Sequence, residues 1–321
     1  MVSSRPALNY TLRPAKNIER KMMCEALSRL GRIAPLSGYR YVGLGSEFFN
    51  DFALYHQRLG IRKMVSIERD ELVAKRCHFN RPFKCIDVRQ GASSEVLPQL
   101  SWTSRTIIWL DYTDPLEAPM LEDVALVASN AVSGSVLIVT VKASYRPDGA
   151  AQDVKASNQR LLDLSANVGE ARVPVGVKGA ELAKWGLASV FHRIITNELQ
   201  TTLTDRNGAL PKDKRIVFQQ CFHFNYSDTT PMLTIGGVLL DAADKRSLGK
   251  NPFHDLQFVR EGAAAMLIAP PMLTTREIRH LNQSGPDKPK GGALLEWLTD
   301  EQHERYREVY RYFPVFAESE L

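Results

Sequence analysis

Tyr39-Arg40-Tyr41-Val42-Gly43-Leu44-Gly45-Ser46-Glu47-Phe48-Phe49-Asn50-Asp51 is the stretch whose reading decides the fold. Tyr39, Tyr41, Val42 and Leu44 predict a short buried strand. Gly43 and Gly45 then let the backbone turn tightly beside a ligand, since a residue without a Cβ permits both the turn and the close approach. Phe48, Phe49, Phe52 and Leu59 give residues 47–59 an apolar face, which predicts a helix with its unpaired N–H groups aimed at whatever occupies the turn. That is the geometry of a nucleotide cradle, although Gly-x-Gly after a strand also describes an ordinary turn.

Working outward, Lys63 to Glu68 reads as a second strand. It ends in an acid about 25 residues past Gly43, close to the spacing of roughly 20 that lets a carboxylate reach a ribose held over the glycine turn. Asp70 to Phe79 reads as a short helix and Phe83 to Asp87 as a third strand, again closing on an acid. Thr106 to Tyr112 is a nearly continuous apolar run, as in a strand covered on both faces of a parallel sheet, and carries Asp111 near its end. Leu121 to Ala128 reads as helix, and Ser135 to Val141 is strongly strand-like and leads into Lys142. Five apolar strands alternating with helices predict an α/β fold with a Rossmann-like, mostly parallel sheet. Glu68, Asp87, Asp111 and Lys142 recur at the carboxyl ends, where open parallel sheets bind their ligands. Each acid taken singly is equally a helix cap, so the argument rests on their recurrence.

Pro14 suits the first turn of a helix running to about Ile33, with Ile18, Met22, Leu27 and Leu30 on its apolar face. Residues 143–212 read as mostly helical, over Gln152 to Leu164 and Ala180 to Glu198, with an exposed turn at Arg206-Asn207-Gly208. His192, on the apolar face of the second, reads as a packing residue. Arg215 to Tyr226 and Met232 to Leu240 read as strands whose short connection makes them antiparallel. Beyond them the texture changes. Short strands are expected at Gln257 to Val259 and Met266 to Ile268, capping boxes at Thr274/Glu277 and Thr299/Gln302, and a Pro-, Lys- and Gly-rich loop at Ser284 to Gly292. The expected organisation is a basic N-terminal helix over 1–38, a main domain over 39–242, and a C-terminal extension over 243–321. That extension is a helical or winged-helix-like cap and offers a surface for a protein partner.

The 321 residues are 44% hydrophobic and 24% charged, the balance of a globular chain rather than a disordered one. No apolar run reaches the roughly 18 residues of a membrane helix, and Met1 to Pro14 shows no secretory signal. Four cysteines without a CxxC pair fit a reducing cytoplasm. Net charge is +5, and residues 1–32, with seven Lys and Arg against two acids, account for all of it. Such a face suits a phosphate backbone, making nucleic acid one candidate partner; the plainer reading is a solvated helix facing the acidic C-terminal segment.

The succession Val42-Gly43-Leu44-Gly45, Ile67-Glu68, Ile86-Asp87 and Leu110-Asp111-Tyr112, followed by a terminal antiparallel pair, resembles the class I S-adenosylmethionine-dependent methyltransferases over about residues 39–240. The resemblance implies S-adenosylmethionine as cofactor. Gly43 and Gly45, with Ser46 beside them, would pass its methionine moiety; Glu68 would bind the ribose hydroxyls, Asp87 would contact adenine, and Asp111 would face the transferred methyl. The chain departs from that family's pattern at Tyr41, where an acid is usual, and at Glu47, where a third glycine is frequent. Lys16, Asp111 and Lys142 fall in an order similar to that of ribose 2′-O-methyltransferases of the FtsJ type, which implies an oxygen acceptor, RNA or another phosphate-bearing molecule among the candidates. The glutamate that follows the sixth strand there has no counterpart among Phe224, Asn225 and Tyr226.

Two other readings compete. A methyltransferase-like domain that binds a nucleotide, nucleic acid or protein without turnover would show the same sheet pattern. A nicotinamide-dependent dehydrogenase is disfavoured because Phe48 stands where its third glycine belongs. Cys221 and His223 share a strand face without a second matched pair, so zinc is not expected. Neither a Gly-x-Ser-x-Gly nucleophile turn nor a Walker-type phosphate loop is present.

Overall fold

Pro14 opens the first helix because its missing N–H is one that a helix leaves unpaired in any case. In a computed structural model, which describes residues 13–145, 154–285 and 295–314, this helix, α1 (Pro14–Ser28), ends in a 3-10 turn at Arg29–Arg32. Its next amides are satisfied from far away. The N–H groups of Ala15 and Lys16 donate to the two carboxylate oxygens of Asp228 at 3.0 and 3.1 Å, an acid placed where the helix dipole favours negative charge.

The glycine stretch forms β1 (Arg40–Leu44) and then α2 (Asn50–Leu59). The helix starts three residues later than its apolar face suggests, because Phe49 sits at φ 50°, in the left-handed region, and breaks any earlier turn. β2 (Lys63–Glu68) and α3 (Glu71–Asn80) follow. β3 is Ile86–Gln90 rather than 83–87. Ile86 and Val88 alternate inward and Asp87 points out, while Phe83 packs on the His56 ring from the preceding loop. Then come α4 (Ser93–Val96), β4 (Thr106–Pro115), α5 (Ala118–Asn130) and β5 (Val136–Lys142). The helical segment supplies α6 (Val154–Val168) and α7 (Gly186–Gly208). The expected turn at 206–208 is instead the last turn of α7, held by Asn207, whose side chain exchanges two hydrogen bonds with the backbone of Ile216.

β6 (Val217–Ser227) and β7 (Pro231–Leu240) are antiparallel to each other, and β7 lies antiparallel to β5. Beyond them are α8 (Ala242–Leu248), β8 (Met266–Ile268), α9 (Thr275–Ser284) and α10 (Asp300–Val309). The strand expected at 257–259 does not form. Among the described residues the strands make one eight-membered sheet in the order β3-β2-β1-β4-β5-β7-β6-β8. Most of it is parallel, with β7 reversed, which is a Rossmann-like methyltransferase sheet extended at its edge by β8 parallel to β6.

Two apolar layers cover the sheet. One face carries α1 and α2 together with Phe253, Leu256, Phe258, Val309 and Tyr312; the other carries α5, α6 and α7. The boundaries expected at 38/39 and 242/243 therefore do not separate cores, since α1, the central strands and the segment after β7 share one cluster. Residues 286–294, most of the expected Ser284–Gly292 loop, lie outside the described residues. No described helix is long and apolar enough to cross a membrane.

Candidate active site

Lys16 is the third residue of a helix that Asp228 anchors at the end of β6, so its side chain reaches over the carboxyl ends of the central strands. It is 3% exposed, and its ammonium meets Asp111 Oδ1 at 2.9 Å, Glu19 Oε2 at 2.9 Å and the Tyr226 hydroxyl at 3.0 Å. The Trp109 ring lies beneath it, 4.3 Å from the nitrogen to the ring centroid. Two of its oxygen contacts are hydrogen bonds, to Asp111 and Tyr226, and the third, to Glu19, is an ion pair. Burial pulls its pKa down, but Asp111 and then Glu19 more than reverse that and hold it above the ordinary lysine range. Lys16 is thus a fixed cation, not a poised base.

A second carboxylate beside Lys16 is Glu19, which comes from α1, three residues after Lys16, and not from the end of β6. It is fully buried, and burial raises its pKa while Lys16 opposes the rise. Its other oxygen closes a directed chain through the sheet. The Trp109 indole donates to Thr140 at 2.9 Å, Thr140 meets Thr234 at 2.7 Å across the β5–β7 register, and Thr234 donates to Glu19. Each hydroxyl gives one hydrogen bond and takes one, so the buried polar groups are satisfied in series.

Asp111 differs from its partners. Its side chain is 34% exposed at the end of the buried run of β4, so one carboxylate oxygen is held by Lys16 while the group still faces outward. Through Tyr226, the other hydrogen-bond partner of Lys16, the cluster reaches a cavity of about 140 Å³ lined by Arg13, Thr113, Lys142, Tyr226, Asp228 and Met232. Lys142 ends β5 in this wall, half-buried and with no ion pair among the described residues. It shares the cavity with Tyr226 but is not one of the partners of Lys16.

At the other end of the rim, Gly45 and Glu68 touch. A Cβ at position 45 would lie 2.8 Å from Glu68 Cβ and 2.9 Å from the Ile67 carbonyl, so only glycine lets the turn pass the end of β2. Gly43 lies deeper, under the Tyr41 hydroxyl and the Phe52 ring. Ser46 caps the turn, its hydroxyl accepting from the Phe48 amide at 3.3 Å. Asp87 is not brought to this rim. It is exposed near the amino end of β3 and pairs with Arg89 at 2.8 Å; the residues that follow the strand are Gly91 and Ala92. Sequence reasoning also passed over Asp123, a 3%-exposed carboxylate on α5 that accepts from the Tyr112 hydroxyl at 2.7 Å and from Ser93. It ties the loop after β3 to the end of β4, and no local motif marks it.

A profile of the family described as "Putative O-methyltransferase" matches residues 8–321. The chain belongs to that family. With the sheet order above, this makes it a member of the class I S-adenosylmethionine-dependent methyltransferases. Comparison with curated proteins gives no match. Similar solved structures include Trm1 from Pyrococcus horikoshii with S-adenosyl-L-methionine, at 12% identity and TM-score 0.42 over 70% of this chain and 57% of that one. An O-methyltransferase family protein from Burkholderia thailandensis aligns at 13% identity and TM-score 0.33, over 68% and 55%. The O-methyltransferase TomG from Streptomyces achromogenes, in complex with SAM, aligns at 12% identity and TM-score 0.35, over 67% and 79%. The chain of this O-methyltransferase family member thus spans little more than half of the first two.

Proposed function

We propose that the protein transfers the methyl group of S-adenosylmethionine to a hydroxyl oxygen bound in the cavity beside Asp111, with Asp111 as the group that receives or orients the hydroxyl proton. The observation that carries this reading is the asymmetry of the buried cluster: Lys16 and Glu19 are closed off, Tyr226 is buried but lines the cavity, and Asp111 is the carboxylate that opens outward. The donor set at the other end of the rim fits the cofactor. Glu68 offers carboxylate oxygens for ribose hydroxyls, and the turn at Gly45 and Ser46 offers bare backbone. When bound, the cofactor supplies an electrophilic methyl on a sulfonium.

What the chain itself supplies is position and a proton path. Lys16 fixes the carboxylate of Asp111 through one oxygen, which leaves the other for the acceptor hydroxyl. The Trp109–Thr140–Thr234–Glu19 series fixes Lys16 in turn. Lys142 and Arg13, on the cavity wall, suit an acceptor that bears a phosphate, RNA included. The broader basic face is a weaker argument for nucleic acid. Lys16 and Arg20 are buried, Arg29 pairs with Asp255, and Lys21 and Arg32 bond to backbone carbonyls.

Asp111→Asn tests the reading. It keeps the shape and removes the charge, so cofactor affinity measured by calorimetry should stay within a few-fold. Transfer of labelled methyl to a hydroxyl acceptor should fall by about 10²–10⁴-fold, the range of a lost proton acceptor. Equal turnover by wild type and Asp111→Asn would remove Asp111 from the chemistry. No cofactor binding by the wild type at millimolar concentration would favour a binding domain without turnover.

A further inference from the structure

Between the tops of α1 and α2 lies a second cavity of about 140 Å³, lined by Asn17, Arg20, Lys21, Asn50 and Leu54. Three polar atoms from these residues are buried without a hydrogen-bond partner among the described residues: Asn17 Oδ1, Arg20 Nε and Asn50 Nδ2. Buried polar groups are paired in the great majority of cases, so three on one small cavity call for a ligand. Arg20 weighs most. It is 8% exposed and forms no ion pair among the described residues. Its charge is felt by Asp51, but Asp51 already takes the Tyr41 hydroxyl.

The start of α2 adds a second, independent feature. Phe49 provides no side-chain cap, and the first intrahelical bond is Ala53 N–H to the Phe49 carbonyl at 2.8 Å. Helix geometry thus leaves the amides of the first turn without a backbone acceptor, that of Asp51 leaning on its own carboxylate, at the positive end of the dipole and beside Asn50. Among its unpaired atoms the wall therefore offers two donors, one guanidinium and one amide, next to a helix N-terminus, and one acceptor in Asn17 Oδ1, while the Lys21 ammonium on the same wall is bonded to the Tyr312 carbonyl.

We propose that this cavity binds an α-amino-acid head group, its carboxylate taken by Arg20 Nε, Asn50 Nδ2 and the start of α2, and its ammonium by Asn17 Oδ1. A bare oxyanion would leave the Asn17 acceptor unpaired, and a lone cation would leave Arg20 unpaired, whereas a zwitterion answers all three. Two sources share that chemistry. One is the aminoacyl end of S-adenosylmethionine, which rests on the methyltransferase reading; the other is a free amino acid.

Calorimetry on the full chain separates them, with S-adenosylmethionine, 5′-methylthioadenosine, which lacks the head group, and L-methionine alone. The variants are Arg20→Met and Asn50→Asp. The second places an acid in the first turn of α2, where the dipole favours it, so the fold is kept while a carboxylate ligand is repelled. If the head group belongs to the cofactor, both variants weaken S-adenosylmethionine by about 10–100-fold and leave 5′-methylthioadenosine within two-fold. If it is a free amino acid, L-methionine raises the Tm of the wild type and not of the variants, and cofactor affinity is unchanged. The proposal is overturned if neither variant alters the binding of S-adenosylmethionine or L-methionine relative to 5′-methylthioadenosine. A wild type that binds no S-adenosylmethionine removes the methyltransferase reading, and the L-methionine arm then decides the cavity by itself.

Discussion

At the scale of single residues, the chemistry turns on how Lys16 is held. Removing a lysine buried against two carboxylates leaves Asp111 and Glu19 uncompensated, and breaking a buried pair of this kind costs about 3–5 kcal/mol. Lys16→Met should therefore lower the denaturant midpoint as well as turnover. Because the neighbouring acids keep the ammonium charged, the pH–rate profile of the wild type should show no lysine ionisation between pH 6 and 10; a limb there that vanishes in Lys16→Met would contradict the fixed-cation reading. His223 gives a second residue-scale expectation. Burial, with the His192 ring stacked 4.1 Å away, lowers its pKa from 6.5 to about 4. As pH falls, the unfolded imidazole takes up its proton first, so stability is full above pH 6.5 and is lost as pH drops toward about 4, by about 1–3 kcal/mol. Urea midpoints measured across that window should fall in the wild type and fall less in His223→Gln. Lys16, Asp111, Gly45 and Glu68 could be singled out in the sequence because each sits at the edge of a local pattern. Glu19, Thr140, Thr234 and Asp123 could not, since their roles depend on partners brought together only by the sheet.

At the scale of elements, the parallel strands were legible because each is an apolar run with its own punctuation. β3 is shifted relative to its apolar pattern because Phe83 reads as strand but packs from a loop, and this places Asp87 near the amino end instead of the carboxyl end. The seating of α1 was beyond local reading: its amides are met by an acid 213 residues away. That contact sets where Lys16 can reach. Asp228→Ala should cost about 0.5–2 kcal/mol, as for a lost helix cap, and should reduce methyl transfer by more than it reduces cofactor affinity. Hydrogen exchange at the first turn of α1 would read the loosening directly. Faster exchange confined to that turn is the expected result, and unchanged exchange would mean that Asp228 does not hold the helix.

At the scale of the whole molecule, the expected division into three parts meets a core that runs through all of them. The segment after β7 contributes Phe253, Leu256, Phe258, Met266, Ile268, Val309 and Tyr312 to the layer that also buries α1, and β8 covers the edge of β6. Composition does change near residue 243, but composition reports solvent-facing residues as much as buried ones, so a change of texture does not locate a change of core. Large apolar side chains buried in this way contribute about 1.5–3 kcal/mol each. Seven of them together rival the roughly 5–15 kcal/mol by which a whole domain is stable. A chain ended after Gly249 should therefore show no cooperative thermal transition, with an exposed β6 edge and an uncovered α1. The milder change Phe258→Ala should cost about 3–5 kcal/mol and still leave a folded protein whose cofactor site can be titrated. A shortened chain that melts cooperatively at the temperature of the full one would make the extension an appendage. Because α1 carries Lys16, Glu19 and Arg20, the same truncation should also abolish cofactor binding, linking the far end of the chain to the site through packing alone.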